Sequence, residues 1–151
     1  VVAISGSITA KQISESVLDP VSLALTHGVF GDFERAFHLP QSLRSPLGPL
    51  HLKGRSDLRD LFVALRNQFR FLGVTLFDQR CVSADFRNTL NIDAACEARL
   101  VYAGTQLQPP FPTRLRFRMT GQDWQIIYCD FSAWPQAGLP ADFVPKNSPP
   151  K

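Results

Sequence analysis

The stretch from Thr113 to Trp134, "TRLRFRMTGQDWQIIYCDFSAW", decides the fold of this 151-residue chain. Apolar and polar residues alternate from Thr113 to Met119, break at "TGQD" and alternate again from Trp124. Period-two alternation on both sides of a glycine turn is the pattern of an antiparallel hairpin with one buried face. Pairing residues symmetrically about the turn sets Met119 opposite Trp124, Phe117 opposite Ile126, Leu115 opposite Tyr128 and Thr113 opposite Asp130. Arg114, Arg116 and Arg118 then share the reverse face with Gln125, Ile127 and Cys129. This register strands Asp130 on the apolar face, where a desolvated carboxylate is costly unless it is paired, hydrogen-bonded or protonated. Asp130 is therefore either a strand-end residue bonded to an amide or a tyrosine hydroxyl, or a carboxylate of raised pKa at a cavity mouth.

Upstream, "VTLFDQRCVSADF" and "TLNIDAACEARLVYA" keep the same period and make two further strands. Centring the next pairing on "GTQLQPPFP" places Leu100 against Leu115, Ala98 against Phe117, Cys96 against Met119 and Tyr102 against Thr113. The arginine row then lies with Glu97 on a solvated or partner-facing surface, where exposed pairs contribute about 0–1 kcal/mol each. Asp78 and Arg80 fall on that outer face too, with Asp93 in reach of Arg80.

The first half is helical. "DLRDLFVALRNQF", capped by Ser56 and ended by Gly73, carries Leu58, Leu61, Phe62, Leu65 and Phe69 on one stripe. Asp19-Pro20 reads as a cap and first position of an earlier helix, which "HGVFG" closes; Asp32 caps a second, "FERAFHL", stopped by Pro40. "SLRSPLGPLHLKG" is turn-rich, with "LHLK" as a short strand. The expected organisation is a lead-in over 1–12, one domain over 13–133 and a proline-rich extended tail over 134–151.

A hydrophobic fraction of 44% and a charged fraction of 19% describe an ordinary globular chain. Twelve phenylalanines against one methionine point to a core of rigid rings. The net charge of +3, without a lysine/arginine block, argues against nucleic acid as a partner. Cys81, Cys96 and Cys129 lack metal-ligand spacing, so no metal is expected. They read as small buried hydrophobes, with one disulfide plus a free thiol as the alternative. No apolar run reaches the roughly 18 residues of a membrane span, so direct membrane insertion is not expected. Compartment stays open: cytoplasmic, or exported if a signal or anchor preceded Val1.

Helices, a short strand, a long amphipathic helix and a run of antiparallel strands resemble the nuclear transport factor 2-like, or SnoaL-like, superfamily. "HGVFGDFERAF" is similar to that family's turn between its first two helices, and "PLGPLHLKGRSDLRDLFVAL" to its strand and third-helix opening. "GQDWQIIYCDFS" resembles its closing strand. The resemblance covers about 13–133 and implies an α+β fold, a cone-shaped curved antiparallel sheet wrapped around a long helix. It further implies a deep pocket and frequent dimers through the outer sheet face. Members range from ketosteroid isomerases, polyketide cyclases and epoxide hydrolases to assembly hubs, so activity does not follow from fold.

Tyr128 and Asp130 match closing-strand positions that are often polar in relatives and are the catalytic candidates. Tyr102, Trp124, His51 and Phe117 are the candidate ligand-lining residues. Asp78 with Arg80 resembles an epoxide-opening pair, whereas His27 and His38 read as helix-end residues. Two functions follow. One is a non-catalytic domain that binds a small apolar ligand or assembles, as a homodimer through the outer sheet face. The other is an enzyme doing general acid–base chemistry in the cone, with no cofactor implied.

Overall fold

Helix α1 runs from Ala10 to His27 in the computed structural model, which describes residues 8–134. Thr9 starts it with a reciprocal cap: its hydroxyl accepts the Gln12 amide at 3.0 Å while Gln12 Oε1 accepts the Thr9 amide at 2.9 Å. The helix therefore begins well before Asp19-Pro20, and residues 10–12, assigned to the lead-in, are its first turn. Pro20 sits inside it on the exposed side, sacrificing one bond to the Ser16 carbonyl. Residues 1–7 and 135–151, with most of the expected tail, lie outside the described residues.

Gly28 ends α1 at φ 78° and donates its N–H to Ala24 at 2.7 Å. Beside it Arg66 donates Nη1 to the Leu25 and Thr26 carbonyls at 2.8 and 2.9 Å, placing a cation at the negative end of the helix. A Cβ at position 28 would meet Arg66 Nη2 at 3.1 Å. Gly28→Ala is expected to cost about 1–2 kcal/mol in urea unfolding, from the left-handed backbone and the displaced guanidinium. A loss within error of zero would show that the turn is not held.

Helix α2, Phe30–Arg35, is capped by Val29 rather than Asp32, which lies in its first turn and pairs with Arg35 at 2.9 Å. Strands β1, Gln41–Ser45, and β2, Gly48–Leu52, form a hairpin. Strand β1 lies where turn is expected, because its apolar residues are few. Helix α3, Arg55–Leu72, starts at Gly54 instead of Ser56, and the buried carboxylate of Asp57 secures the start by accepting the Lys53 amide at 2.7 Å. Gly73 ends it, and Leu58, Leu61, Phe62, Leu65 and Phe69 are all buried as the period requires.

Strands β3 (Leu76–Asn88), β4 (Asn91–Tyr102), β5 (Thr105–Gln106), β6 (Phe111–Thr120) and β7 (Asp123–Asp130) complete the sheet. Its order is β2-β1-β7-β6-β4-β3, with β5 on β4; the pairs are antiparallel except β1–β7. The fold is thus the expected α+β one, a curved sheet around α3, but among the described residues β2 and β3 are its two edges and it does not close into a barrel. Bulges at Val82 and Arg87 in β3 help to bend it.

The β4–β6 pairing differs from expectation. Val101 and Tyr102 fold back onto β5 through a tight turn at Ala103-Gly104, so "GTQLQPPFP" is not a symmetric loop. Ile92 thereby faces Phe117, Ala94 faces Leu115 and Cys96 faces Thr113. The displacement is an even number of residues, so each side chain keeps its face and apolar still meets apolar. The core holds two aromatic groups, one at each end of the α3 stripe. Phe62 meets Phe30 and Phe33 at 5.5 and 5.0 Å, and two turns later Phe69 stacks on Phe77 at 5.4 Å.

Candidate functional site

Ile126 is the pivot of the site. Its amide donates to Ala36 at 2.7 Å, and its carbonyl accepts the His38 amide at 3.0 Å and Gln41 Nε2 at 2.9 Å. Up to this residue the hairpin has the expected register: Met119 faces Trp124, Arg118 faces Gln125 and Phe117 faces Ile126. Ile127 is then an extra residue, and the next pairs are Arg116–Tyr128, Leu115–Cys129 and Arg114–Asp130. One inserted residue reverses every later side chain. Cys129 turns inward onto Leu115, while Tyr128 and Asp130 turn outward among the arginines. The expectation that Tyr128 and Asp130 face the core is overturned, and the physical reason is clear: a thiol is far cheaper to bury than a carboxylate.

Asp130 Oδ1 accepts the Ser132 amide at 3.0 Å and the Ser132 hydroxyl at 2.7 Å, a turn that ends the strand. Partial burial raises its pKa, but the Ser132 hydroxyl and amide outweigh it, aided by Arg44 and Arg114, and hold the group below the ordinary value. The Arg116 guanidinium lies over the Tyr128 ring, 5.4 Å from its centroid.

The other candidates are dispersed. His51 points outward, hydrogen-bonded to the Ser42 hydroxyl at 2.8 Å, because Leu50 and Leu52 take the inward positions of β2. Tyr102 projects past the end of the core beside Gly73 and is 53% exposed. Trp124 is half-buried, edge-on to Phe86 at 6.2 Å. Phe117 is fully buried between Ile92 and Ile126. Asp78 pairs with Arg99 across the outer face, and Arg80 faces Glu97 rather than Asp93. His27 ends α1, as read, and His38 spans the α2–β7 junction through its backbone.

Inside the sheet the space is taken by Trp134, the first residue of the expected extended tail. The indole is 4% exposed, stacked on Phe69 and Phe77 at 5.9 and 5.7 Å and edge-on to Phe111 and Phe131 at 5.3 and 5.9 Å. Its Nε1 has no hydrogen-bond partner among the described residues. A void of about 50 Å³ remains beneath it, lined by Leu61, Leu65, Phe77, Leu115, Ile126 and Trp134 among others. Small-molecule pockets run to roughly 300–1,000 Å³, so the space left among the described residues is well below that range. The "DFSAW" segment carried a readable signal: an aspartate two residues before a serine favours a turn, which returns the following aromatics to the core.

All three cysteines are free, with Cys81 and Cys96 directly opposite each other. Burial raises each thiol, Cys129 to about 12, so they stand as neutral thiols. No three His, Cys, Asp or Glu side chains among the described residues converge on a metal-sized site, and no described helix is long and apolar enough to cross a membrane.

The chemistry is concentrated on the outer face, where two rows cross the strands: Ser83–Ala95–Arg114–Asp130–Arg44 and Asp85–Asp93–Arg116–Tyr128. Strand β6 carries Arg114, Arg116 and Arg118 there beside Pro112, whereas β3, β4 and β7 supply Asp78, Asp85, Asp93, Glu97 and Asp130 together with Arg80, Arg87 and Arg99.

No protein-family model matches the chain, and no curated protein matches it in sequence. Solved structures do. An NTF-2 like protein of unknown function from Shewanella oneidensis aligns at a TM-score of 0.60 and 9% identity, over 78% of this chain and 93% of that one. A protein from Thiobacillus denitrificans, named as a candidate association domain of calcium/calmodulin-dependent protein kinase type II, aligns at 0.59 and 14%, over 77% and 90%. A candidate ketosteroid isomerase from Shewanella frigidimarina aligns at 0.56 and 10%, over 81% and 94%. At these identities the likeness is one of fold: the chain has the nuclear transport factor 2-like, cystatin-like architecture.

Proposed function

We propose that this chain of nuclear transport factor 2-like fold is a non-catalytic assembly module that pairs with a second copy through the outer face of its sheet. The observation that carries the reading is Trp134: the chain fills with its own indole the chamber that a small-molecule binder or enzyme would leave open. The acid–base alternative needs an inward carboxylate, and Asp130 faces outward. The outer face, in contrast, suits a two-fold contact. A basic strand flanked by carboxylate-bearing neighbours is complementary to a rotated copy of itself. The association-domain name of one structural neighbour is in keeping with this reading.

Sedimentation equilibrium across the micromolar range is expected to show a monomer–dimer equilibrium. Ala95 lies in the middle of the outer face, between Ser83 and Arg114. Ala95→Arg adds bulk and a like charge beside Arg114 and is expected to weaken the dimer about 100-fold while leaving the circular dichroism unchanged. A wild type that stays monomeric throughout that range removes the proposal.

A further inference from the structure

We propose that the depression at the β3–β4 turn end of the outer face is a binding site for a phosphate group. The depression, about 250 Å³, is lined chiefly by Arg87, Asn91, Asp93, Arg116, Arg118 and Ile127. Two bulges frame it. Arg87 is the extra residue between Phe86 and Asn88, and Ile127 the extra residue of β7. A bulge re-aims the side chain it carries, and Arg87 is thereby brought onto the outer face within 3.6 Å of Asp93.

The guanidiniums are held by the protein so that donors remain for a ligand. Arg116 is ion-paired with Asp93, its Nε 3.4 Å from Oδ1 without a hydrogen bond between them, and rests on the Tyr128 ring. Arg118 gives its Nε to Asn91 Oδ1 at 3.2 Å. The Nη groups of both make no hydrogen bond to the described residues, so Arg118 keeps a fork held through its Nε bond to Asn91 and Arg116 one held by its ion pair and the Tyr128 ring. Neutralisation of the adjacent carboxylates does not account for the cluster. Asp85 and Asp93 lie opposite each other; Arg87 and Arg116 both pair with Asp93, and by charge alone the two arginines equal the two carboxylates. Arg118 is the third cation, anchored by a neutral amide and without an ion pair among the described residues. One uncompensated charge and two paired forks suit a phosphate group, whose several oxygens accept from both guanidiniums at once. The depression exceeds the volume of phosphate itself, so the group is expected to arrive on a small solute.

Inorganic phosphate is the probe, titrated into the full chain and followed by backbone amide NMR shifts, with ionic strength held constant by chloride. The expected result is saturable binding in the millimolar range, with shifts concentrated at Arg87–Asp93 and Arg116–Arg118. Arg118→Gln is expected to weaken it about tenfold or more, and Arg118→Lys, which keeps the charge but loses the fork, by a smaller factor. Shifts that do not saturate, that chloride reproduces, or that persist unchanged in Arg118→Gln overturn the proposal. The site does not depend on dimerisation. Phosphate binding by a strictly monomeric wild type removes the assembly reading and leaves this one. A dimer that ignores phosphate does the reverse.

Discussion

Replacing Trp134 with alanine is expected to remove about 3–5 kcal/mol of stability, the usual cost of emptying a large aromatic site in a core. The indole is nearly inaccessible and contacts four phenylalanine rings, so its removal leaves a space that the surrounding stacks cannot close without breaking one another. The new space joins the existing void of about 50 Å³. It is apolar, so it should stay dry and accept a flat aromatic solute. Added indole is therefore expected to raise the urea midpoint of Trp134→Ala in a concentration-dependent way and to leave the wild type unaffected. Trp134→Phe is the informative control. It keeps most of the ring area and deletes an N–H that has no partner among the described residues, so its cost should be within about 1 kcal/mol of zero. A Trp134→Ala loss below about 1 kcal/mol, or indole binding to the wild type, would mean that the chamber is open in solution. The binder or enzyme reading would then regain its footing.

What was legible beforehand was periodicity, and what was hidden was anything that interrupts it. The α3 stripe and the four long strands follow from recurring apolar residues, and all of them are present. Helix α1 was misplaced because Asp19-Pro20 matches a start signal so well, while Thr9 and Gln12 make an equally good capping box in a weaker apolar context. The β4–β6 shift was invisible because symmetric pairing assumes a loop without structure of its own, and β5 violates that. The site failed at a single residue. Nothing in "WQIIYC" marks Ile127 as extra, since its neighbours are equally β-favouring. Its place comes from Ile126, pinned by Ala36, His38 and Gln41, contacts from far upstream that no local pattern contains.

The bulge at Ile127 makes a second prediction in which two adjacent positions exchange their expected sensitivities. Cys129→Asp is expected to cost about 3–5 kcal/mol, because it places a carboxylate against Leu115 with no cation among the described residues that line the space there. Asp130→Ala is expected to cost no more than about 1 kcal/mol, since it deletes a solvent-screened group beside Arg114 and Arg44 and two exposed turn hydrogen bonds from Ser132, both of which water can replace. Uninterrupted alternation from Trp124 would give the opposite order, with position 129 tolerant and position 130 buried. The pH dependence separates the two further. A buried aspartate at 129 has a raised pKa, so the folded state holds its proton longer than the unfolded one, and the deficit grows as pH rises above the unfolded value. Asp130 has a lowered pKa, so its contribution is present above the unfolded value and disappears as pH falls through the folded one. Urea unfolding of both variants at neutral and mildly acidic pH should therefore show Cys129→Asp gaining on the wild type in acid and Asp130→Ala converging with it. If Asp130→Ala proves the more damaging of the pair at neutral pH, the carboxylate lies inside after all. The outer-face assignment of Asp130 and Tyr128 would then be withdrawn.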